Sequence, residues 1–200
     1  MGFMGLIVPS EYGGTGTDIV SYAIVIEELA RVCGSTALGV AAHNSLACGP
    51  IVMMGTEAQK KKYLPALASG EAIGAFCLTE PHVGSEAGGL KTIATRDGAG
   101  YVLNGVKQFI TSGKNGDIAI VMAVTDKAAG KKGISAFIVP TATPGYVVAR
   151  IEDKMGQHAS DTAQILFENC RVPAANLLGD EGQGLKIALS GLEGGRIGIA

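Results

Sequence analysis

The sequence carries little charge of either sign and contains no tryptophan. Its 16 basic and 18 acidic residues leave a formal net charge of −2, which provides no long-range attraction to nucleic acid or to an anionic membrane. Charged residues make up 17% of the chain and apolar residues 47%, proportions typical of a globular protein. With 200 residues, the chain is long enough for one or two domains with a substantial core.

Cysteine and histidine are also scarce. The cysteines lie far apart in apolar surroundings, at positions Cys33, Cys48, Cys77 and Cys170. Because none of them shows C-x-x-C spacing, we interpret them as reduced, buried thiols in a cytosolic-type compartment. The three histidines, His43, His82 and His158, are isolated from one another and have no partners at ligand spacing. We therefore expect no metal site.

No segment has the pattern of a targeting or membrane-spanning sequence. The N-terminus lacks a basic segment followed by a long apolar run, so we expect no secretory signal. The most apolar stretch, from Ser35 to Gly55, contains glycine, serine, histidine and asparagine. It is better interpreted as a helix in the protein core than as a span, and we expect no membrane insertion.

The first third of the chain has helical periodicity. Either Thr17 or Asp18 can cap a helix whose apolar residues recur at helical spacing until Gly34. Thr56 and Gln59 form a capping-box pattern at the start of another helix, in which the lysines 60–62 form a solvated face.

From Ile73 the periodicity changes from helical to that of short β-strands. Strands are predicted at residues 101–103, 106–110, 118–124, 134–139, 146–149 and 163–167. Asn104-Gly105 is a two-residue hairpin signal between the strands on either side of it, and this hairpin would place Phe109 and Thr111 on one face. Frequent turn residues between the strands predict an all-β domain, a small sandwich or barrel. A further helix begins at Leu185.

The sequence thus predicts an α+β fold in three parts. Residues 1–71 form part of an N-terminal helical domain, residues 72–180 a middle β-domain, and residues 181–200 the first helix of a C-terminal helical bundle.

The stretch from Ile73 to Ser85 is a candidate ligand site. Its apolar first half is typical of a buried strand, which Thr79-Glu80-Pro81 ends because proline cannot donate to a sheet ladder. Gly84 in the loop that follows would let backbone N–H groups converge on a flat, anionic cofactor. From the residues alone, an ordinary turn that binds nothing is the alternative.

Three sequence blocks resemble a known family. The segment Phe76–Ser85 is similar to the flavin-binding signature of the acyl-CoA dehydrogenases. The segment Tyr101–Thr111 resembles the second flavin segment of that family, and Glu193–Ala200 resembles the helix beside the substrate thioester. The blocks occur in the family's order across nearly the whole chain, and the short-chain, butyryl-type branch is the most similar.

The resemblance implies FAD as cofactor and a set of residues that bind it. That set is Phe76, Cys77, Leu78, Thr79, Gly84, Ser85, Phe109, Ile110 and Thr111. Thr79 would meet the pyrimidine edge, and Thr111 would bond to flavin N5 or the adjacent carbonyl. Phe109 stands where most relatives have tryptophan and would stack on the flavin ring. Without the resemblance, Phe109 would be an ordinary core aromatic and Thr111 a hydroxyl at a strand end.

The resemblance also implies substrate contacts at Ser85, Glu193 and Arg196, and it places the catalytic base outside the given residues. In most of the family the base is a glutamate that would lie beyond Ala200. In a minority the base occupies the position of Gly195, and glycine cannot act as a base. We therefore expect no catalytic residue within this partial chain. Lys107 has no evident catalytic role, and we expect it at the surface or in a turn.

The implied reaction is the flavin-dependent α,β-dehydrogenation of a short-chain acyl-CoA to the trans-2-enoyl-CoA, with hydride passing to FAD N5. The implied partners are acyl-CoA, an electron-transferring flavoprotein and further copies of the chain in a homotetramer. The implied location is the cytoplasm of a bacterium or the mitochondrial matrix. An acyl-CoA oxidase or a flavin monooxygenase of the same fold is an alternative, and so is a non-catalytic truncated module.

Overall fold

Helices form the first third of the computed structural model, which describes all residues from 1 to 200. They are α1 (Ile19–Val32), α2 (Gly34–Ala42), α3 (Gly49–Met54) and α4 (Glu57–Ser69). Asp18 caps α1, because its carboxylate accepts the N–H groups of Val20 and Ser21 at 2.9 and 3.1 Å. Thr56 and Gln59 form the predicted capping box at the start of α4.

A π-helical segment, His43–Cys48, joins α2 and α3 into one continuous helix. This helix, Gly34–Met54, is long and apolar enough to cross a membrane by length and composition, but 56% of its most apolar window is buried inside the structure. The Nδ1 atom of the buried His43 accepts the N–H of Gly74 at 2.9 Å, and its Nε2 lies 3.0 Å from the carbonyl oxygen of Leu67. Because Nδ1 accepts, the ring proton is on Nε2, and His43 ties the helix to the start of the sheet.

Eight strands form one continuous sheet. They are β1 (Gly74–Cys77), β2 (Ile93–Asp97), β3 (Gly100–Thr111), β4 (Ile118–Val124), β5 (Ile134–Pro140), β6 (Tyr146–Ile151), β7 (Thr162–Pro173) and β8 (Leu177–Leu178). The order across the sheet is β6-β7-β3-β2-β4-β5-β8, with β1 paired to β4. The pairs β1–β4 and β2–β4 are parallel, and the others are antiparallel.

Alternating residues of β4 separate two apolar cores. Ile120 and Met122 pack with residues of the helices, whereas Ala119, Val121 and Ala123 pack with buried residues of β3 and β7. Because β4 and β3 share this second core, the sheet curls over it in the manner of a small sandwich. The predicted α+β fold, with helices on both sides of a β-domain, is confirmed.

The predicted hairpin at Asn104-Gly105 is wrong. Both residues lie within β3, and the turn between β2 and β3 occurs earlier, where Asp97 pairs with Gly100 across Gly98 and Ala99. A glycine is needed at position 105 for a different reason. This residue has φ 153°, coincides with a register shift against β7, and lies so close to Thr92 that a Cβ would come within 2.4 Å of its Oγ1.

The last helix, α5 (Gly184–Ile199), packs on the sheet and on the π-helical segment. Its buried residues Ile187 and Ala188 belong to the core beneath the helices. The domain boundaries at 71/72 and 180/181 stay a prediction. They lie in the connection between α4 and β1 and in the connection between β8 and α5.

Candidate functional site

A pocket of about 160 Å³ opens where β1 ends against β3. Two strand segments and two helical segments line it, and all of the lining residues are uncharged. They are Ala42, Leu46, Gly74, Ala75, Phe76, Leu78, Thr79, Phe109, Ile110, Thr111 and Leu192. Six of the residues in the flavin-binding set of the sequence analysis are therefore brought together here: Phe76, Leu78, Thr79, Phe109, Ile110 and Thr111.

The first wall follows the end of β1. Phe76 and Leu78 face the pocket and Thr79 follows them, whereas Cys77 is fully buried among the residues of the core between β4 and β7. This arrangement follows from the alternation of side chains along a strand. The side chain of Cys77 therefore points away from the pocket, and the role assigned to Cys77 in binding FAD stays a prediction.

The second wall depends on an irregularity in β3. Between the pairs Lys107–Ile165 and Ile110–Ala163, β3 has two residues opposite a single residue of β7. The extra residue makes a β-bulge in which Phe109 takes φ 59°, a conformation uncommon outside glycine. The bulge turns the ring of Phe109 out of the sheet, so that it is 62% exposed and lines the pocket with Thr111. Phe109 and Thr111 thus share a site because of the bulge, and not because of the predicted hairpin.

The helices close the rest of the pocket. Ala42 and Leu46 come from the long helix, and Leu192 comes from α5. Leu192 also borders two neighbouring cavities, one of about 190 Å³ that is lined mostly by apolar residues of these helices and one of about 660 Å³ that is lined by charged residues. The pocket between the strands is therefore adjacent to both.

A buried ion pair lies directly behind the two walls. The Nζ atom of Lys107 donates to Oε1 of Glu80 at 2.9 Å and to the carbonyl oxygen of Leu78 at 3.1 Å. The side chains of Lys107 and Glu80 are 0% and 1% exposed. The remaining capacity of the carboxylate is used by the N–H groups of Lys91 and Thr92, at 2.8 and 3.0 Å. Both charged groups are thus paired, whereas the buried hydroxyl of Thr92 beside them has no hydrogen-bond partner.

The expectation that Lys107 lies at the surface or in a turn is wrong. Alternation along β3 places Lys107 on the same inward side as Tyr101 and Leu103, and this was the signal available in the sequence. Burial alone would raise the pKa of Glu80, but Lys107 and the hydrogen bonds to the carboxylate hold that pKa below its usual range. Glu80 is therefore a carboxylate that binds the protein's own groups and is not available as a base.

Gly84 and Ser85 are not part of the pocket. The backbone groups of Glu80 and Val83 bond to each other in both directions at 3.0 Å, which closes a tight turn. The chain then leaves the pocket, and Gly84 and Ser85 are exposed. The roles assigned to them in binding FAD and substrate stay a prediction.

Glu193 and Arg196 line the charged cleft of about 660 Å³ at one side of α5. Lys131, Lys132 and Lys186 line the same cleft, so that four cationic side chains face one carboxylate. An anionic ligand would be favoured in this cleft. Arg196 also borders the apolar cavity between α5 and the long helix.

The sequence matches two family models that together cover most of the chain. Residues 1–71 match "Acyl-CoA dehydrogenase, N-terminal domain", and residues 75–170 match "Acyl-CoA dehydrogenase, middle domain".

The chain belongs to the acyl-CoA dehydrogenase family.

Relatives in this family include short-chain enzymes from bacteria and mitochondria. The chain is 48% identical over 199 residues to a short-chain specific acyl-CoA dehydrogenase of Clostridium acetobutylicum, with 100% of the chain and 52% of the relative covered. It is 46% identical over 200 residues to the mitochondrial short-chain specific acyl-CoA dehydrogenase of Homo sapiens, with 100% of the chain and 48% of that protein covered. The chain spans about half the length of these relatives.

Solved acyl-CoA dehydrogenase structures have the same fold. Butyryl-CoA dehydrogenase from Megasphaera elsdenii superimposes with a TM-score of 0.96 at 48% identity, over 98% of this chain and 52% of that one. A chain in a structure described as the electron transferring flavoprotein of Acidaminococcus fermentans gives 0.97 at 51% identity, with the same coverage of 98% and 52%. An acyl-CoA dehydrogenase from Bacillus anthracis, complexed with FAD, gives 0.92 at 44% identity, over 98% of this chain and 35% of that one.

Proposed function

We propose that this chain provides the FAD-binding part of an enzyme that dehydrogenates a short-chain acyl-CoA to the trans-2-enoyl-CoA. One observation supports the proposal above all. The end of β1 and the bulge of β3 bring Phe76, Thr79, Phe109 and Thr111 to one apolar pocket. Two aromatic rings and two hydroxyls on opposite walls are suited to a flat aromatic ring with a polar edge.

The residues of the pocket fit an isoalloxazine ring system. The hydroxyls of Thr79 and Thr111 make no hydrogen bond within the chain, so both are free to bond to a ligand. The bulge leaves Phe109 exposed at the pocket, where its ring can stack on the face of a ligand. The family relative from Bacillus anthracis is complexed with FAD, which supports the same cofactor here.

The proposed reaction removes two hydrogens from adjacent carbons of the acyl group. A base would take the α-proton, the bound FAD would supply the acceptor for the β-hydrogen as hydride, and the electron pair of the Cα–H bond would form the new double bond. The hydroxyl of Thr111 would stabilise negative charge that develops on the acceptor. Because no carboxylate lines the pocket, we propose that the base lies outside residues 1–200.

The neighbouring cavities provide room for the two ends of the substrate. The apolar cavity of about 190 Å³, lined by Leu38, Ala41, Leu46 and Leu192 among others, would hold a short acyl chain. The cationic cleft of about 660 Å³ would attract the phosphate groups of coenzyme A. A short-chain substrate is supported by the names of the Clostridium and Megasphaera relatives.

Electron-transferring flavoprotein is the proposed electron acceptor, supported by the likeness to the chain from Acidaminococcus fermentans. We further propose a homotetramer for the whole protein. Bacterial and mitochondrial relatives support either the bacterial cytoplasm or the mitochondrial matrix as the location.

Titration with FAD tests the proposal directly. We expect the purified protein to bind FAD with a visible absorption spectrum that differs from that of free FAD, and Phe109→Ala with Thr79→Val to weaken binding. Thr95→Val, at an exposed position of β2, is a control outside the pocket. If the protein binds no FAD, or if the pocket variant binds FAD as tightly as the control, the pocket is not the flavin site. Anaerobic mixing with butyryl-CoA then tests for bleaching of the bound flavin.

A further inference from the structure

The buried pair of Glu80 and Lys107 connects the two walls of the pocket. Lys107 holds the backbone at Leu78 and the side chain of Glu80, the residues on either side of Thr79. Thr79 itself is held by the next residue of β3, since the N–H of Gln108 donates to the Thr79 carbonyl oxygen at 2.8 Å. Three consecutive residues at the end of β1 are thus fixed to two consecutive residues of β3.

The second wall begins at the same lysine. The bulge that presents the ring of Phe109 and the hydroxyl of Thr111 starts directly after Lys107, the last residue in register with β7 before the shift. β1 ends at Cys77, so the bonds beyond its last residue are the ones that align Thr79 with the bulge. The pair also binds a third segment of the chain, because Glu80 accepts the N–H groups of Lys91 and Thr92 just before β2 begins.

The energetics of a buried pair argue against a role in stability alone. Removing two charges from water costs several kcal/mol for each ion, and replacing both by apolar groups of similar volume is often neutral or stabilising. A buried pair does, however, impose a defined geometry on the groups that it contacts. Here those groups are the backbone of both pocket walls.

We propose that Glu80 and Lys107 are positioning residues for the flavin site, which hold the Thr79 and Thr111 hydroxyls at the separation that the bound ring requires. This inference rests on the proposed function, since it takes the pocket to be the flavin site. Neither side chain lines the pocket, so the pair acts through the residues that do.

The double variant Glu80→Gln/Lys107→Met tests the proposal, because it removes both charges and leaves no unpaired ion. In the full protein we expect its FAD dissociation constant to rise at least tenfold and the visible spectrum of its bound flavin to change. Its free energy of unfolding should stay close to that of the unmodified protein. Equal affinity and an equal spectrum in the two proteins would overturn the proposal.

Val172→Ala is the matched control for loss of stability. Val172 is a buried residue of β7 that pairs with Tyr101, at the other end of β3 from the pocket. We expect this variant to be less stable and to bind FAD within twofold of the unmodified protein. If it lost as much FAD affinity as the double variant, the effect would be a general consequence of destabilisation, and the positioning role would be wrong.

A double-mutant cycle with Thr111→Val distinguishes a positioning role of the ion pair from a purely structural one. If the pair acts by placing the Thr111 hydroxyl, Thr111→Val will weaken FAD binding severalfold in the unmodified protein and have little further effect in the double variant. Equal effects in both backgrounds would contradict the proposal. If the double variant does not fold, Glu80→Asp, which keeps both charges and shortens the carboxylate side chain, replaces it in the cycle with the same expected pattern. Failure of the unmodified protein to bind FAD would instead refute the proposed function.

Discussion

The β4–β5 pair and the β1–β3 junction are both buried, but they are built by different rules. β4 and β5 pair through seven consecutive residues without a register shift, and nearly all of their side chains are buried, most of them apolar. At the junction, β3 carries two register shifts against β7, a positive φ at Phe109 and a fully buried lysine. The regular region provides the core, and the irregular region provides the pocket.

The difference shows where this chain departs from the rules of a stable sheet. A bulge and a buried charge each cost free energy, and such features persist where the surrounding structure compensates for them. Here Glu80 and the backbone groups around it compensate for Lys107. The bulge at Phe109 and the buried Lys107 both lie beside the same pocket, which supports a functional reason for these two features.

The largest effect on stability is expected when one partner of the buried ion pair is removed and the other remains. Lys107→Met leaves the carboxylate of Glu80 buried without its cation, and we expect the protein to lose about 3–5 kcal/mol of unfolding free energy. Urea denaturation measures this loss, with the surface variant Arg171→Met as a control of near-zero effect, since Arg171 pairs with Asp97 in solvent. A loss below 1 kcal/mol would mean that Glu80 finds another partner or takes up a proton at little cost.

A smaller loss is expected in the regular region. Ile138 is fully buried on β5, and Ile138→Ala should cost about 3 kcal/mol because the cavity that it leaves is enclosed by packed side chains. FAD affinity should stay within twofold of that of the unmodified protein, since Ile138 does not line the pocket. A large loss of FAD affinity in this variant would show that the two regions are coupled, and the comparison between them would then break down.

The sequence was sufficient to predict the regular region. The run at 118–124 matched β4, since a short apolar segment between turn residues has few alternatives as a buried strand. The prediction failed at Asn104-Gly105, where a glycine needed for close approach to Thr92 resembled a hairpin turn, while the actual turn is formed by Gly98 and Ala99. Local turn propensity could not distinguish the two, because the choice depends on pairing of β3 with β7 some 60 residues later in the chain.

The candidate site was predictable in part. The flavin-binding set came from resemblance, and alternation along β1 would have been enough to predict that the Cys77 side chain faces the core and not the pocket. The pair of Glu80 and Lys107 was missed because its members are 27 residues apart and are brought together only by the tertiary fold. The bulge at Phe109 was missed because no glycine marks it.

Removing one hydroxyl from the pocket should cost less free energy than either of these substitutions. Thr111→Val keeps the shape of the side chain and removes a group that can bond to the proposed flavin, which is worth about 0.5–1.5 kcal/mol. We expect weaker FAD binding and a lower midpoint potential of the bound flavin, because negative charge on the reduced ring is less stabilised. Spectroelectrochemical titration measures the potential, with Thr95→Val on β2 as the control. An unchanged potential would remove Thr111 from the site.

The smallest effect concerns acid stability and distinguishes the junction from the uncharged β4–β5 region. Lys107 and the hydrogen bonds to Glu80 hold the pKa of this carboxyl below its ordinary value of 4.5, against the effect of burial. A lowered pKa in the folded protein contributes stability that is fully present above the pKa of the unfolded chain and is lost as the pH falls through the folded value. Lys107 stays cationic in that acidic range and remains attracted to the carboxylate, and the Nε2 atom of His82 lies 3.6 Å from the same group. The free-energy difference between the unmodified protein and Glu80→Gln should therefore shrink as the pH is lowered from 6 to 3 in urea titrations.

In the Ile138→Ala background this free-energy difference should shrink by the same amount, because residue 138 carries no charge. A difference independent of pH would mean that the pKa of Glu80 is the same in the folded and the unfolded protein, and the proposed effect of Lys107 on this carboxyl would then be wrong.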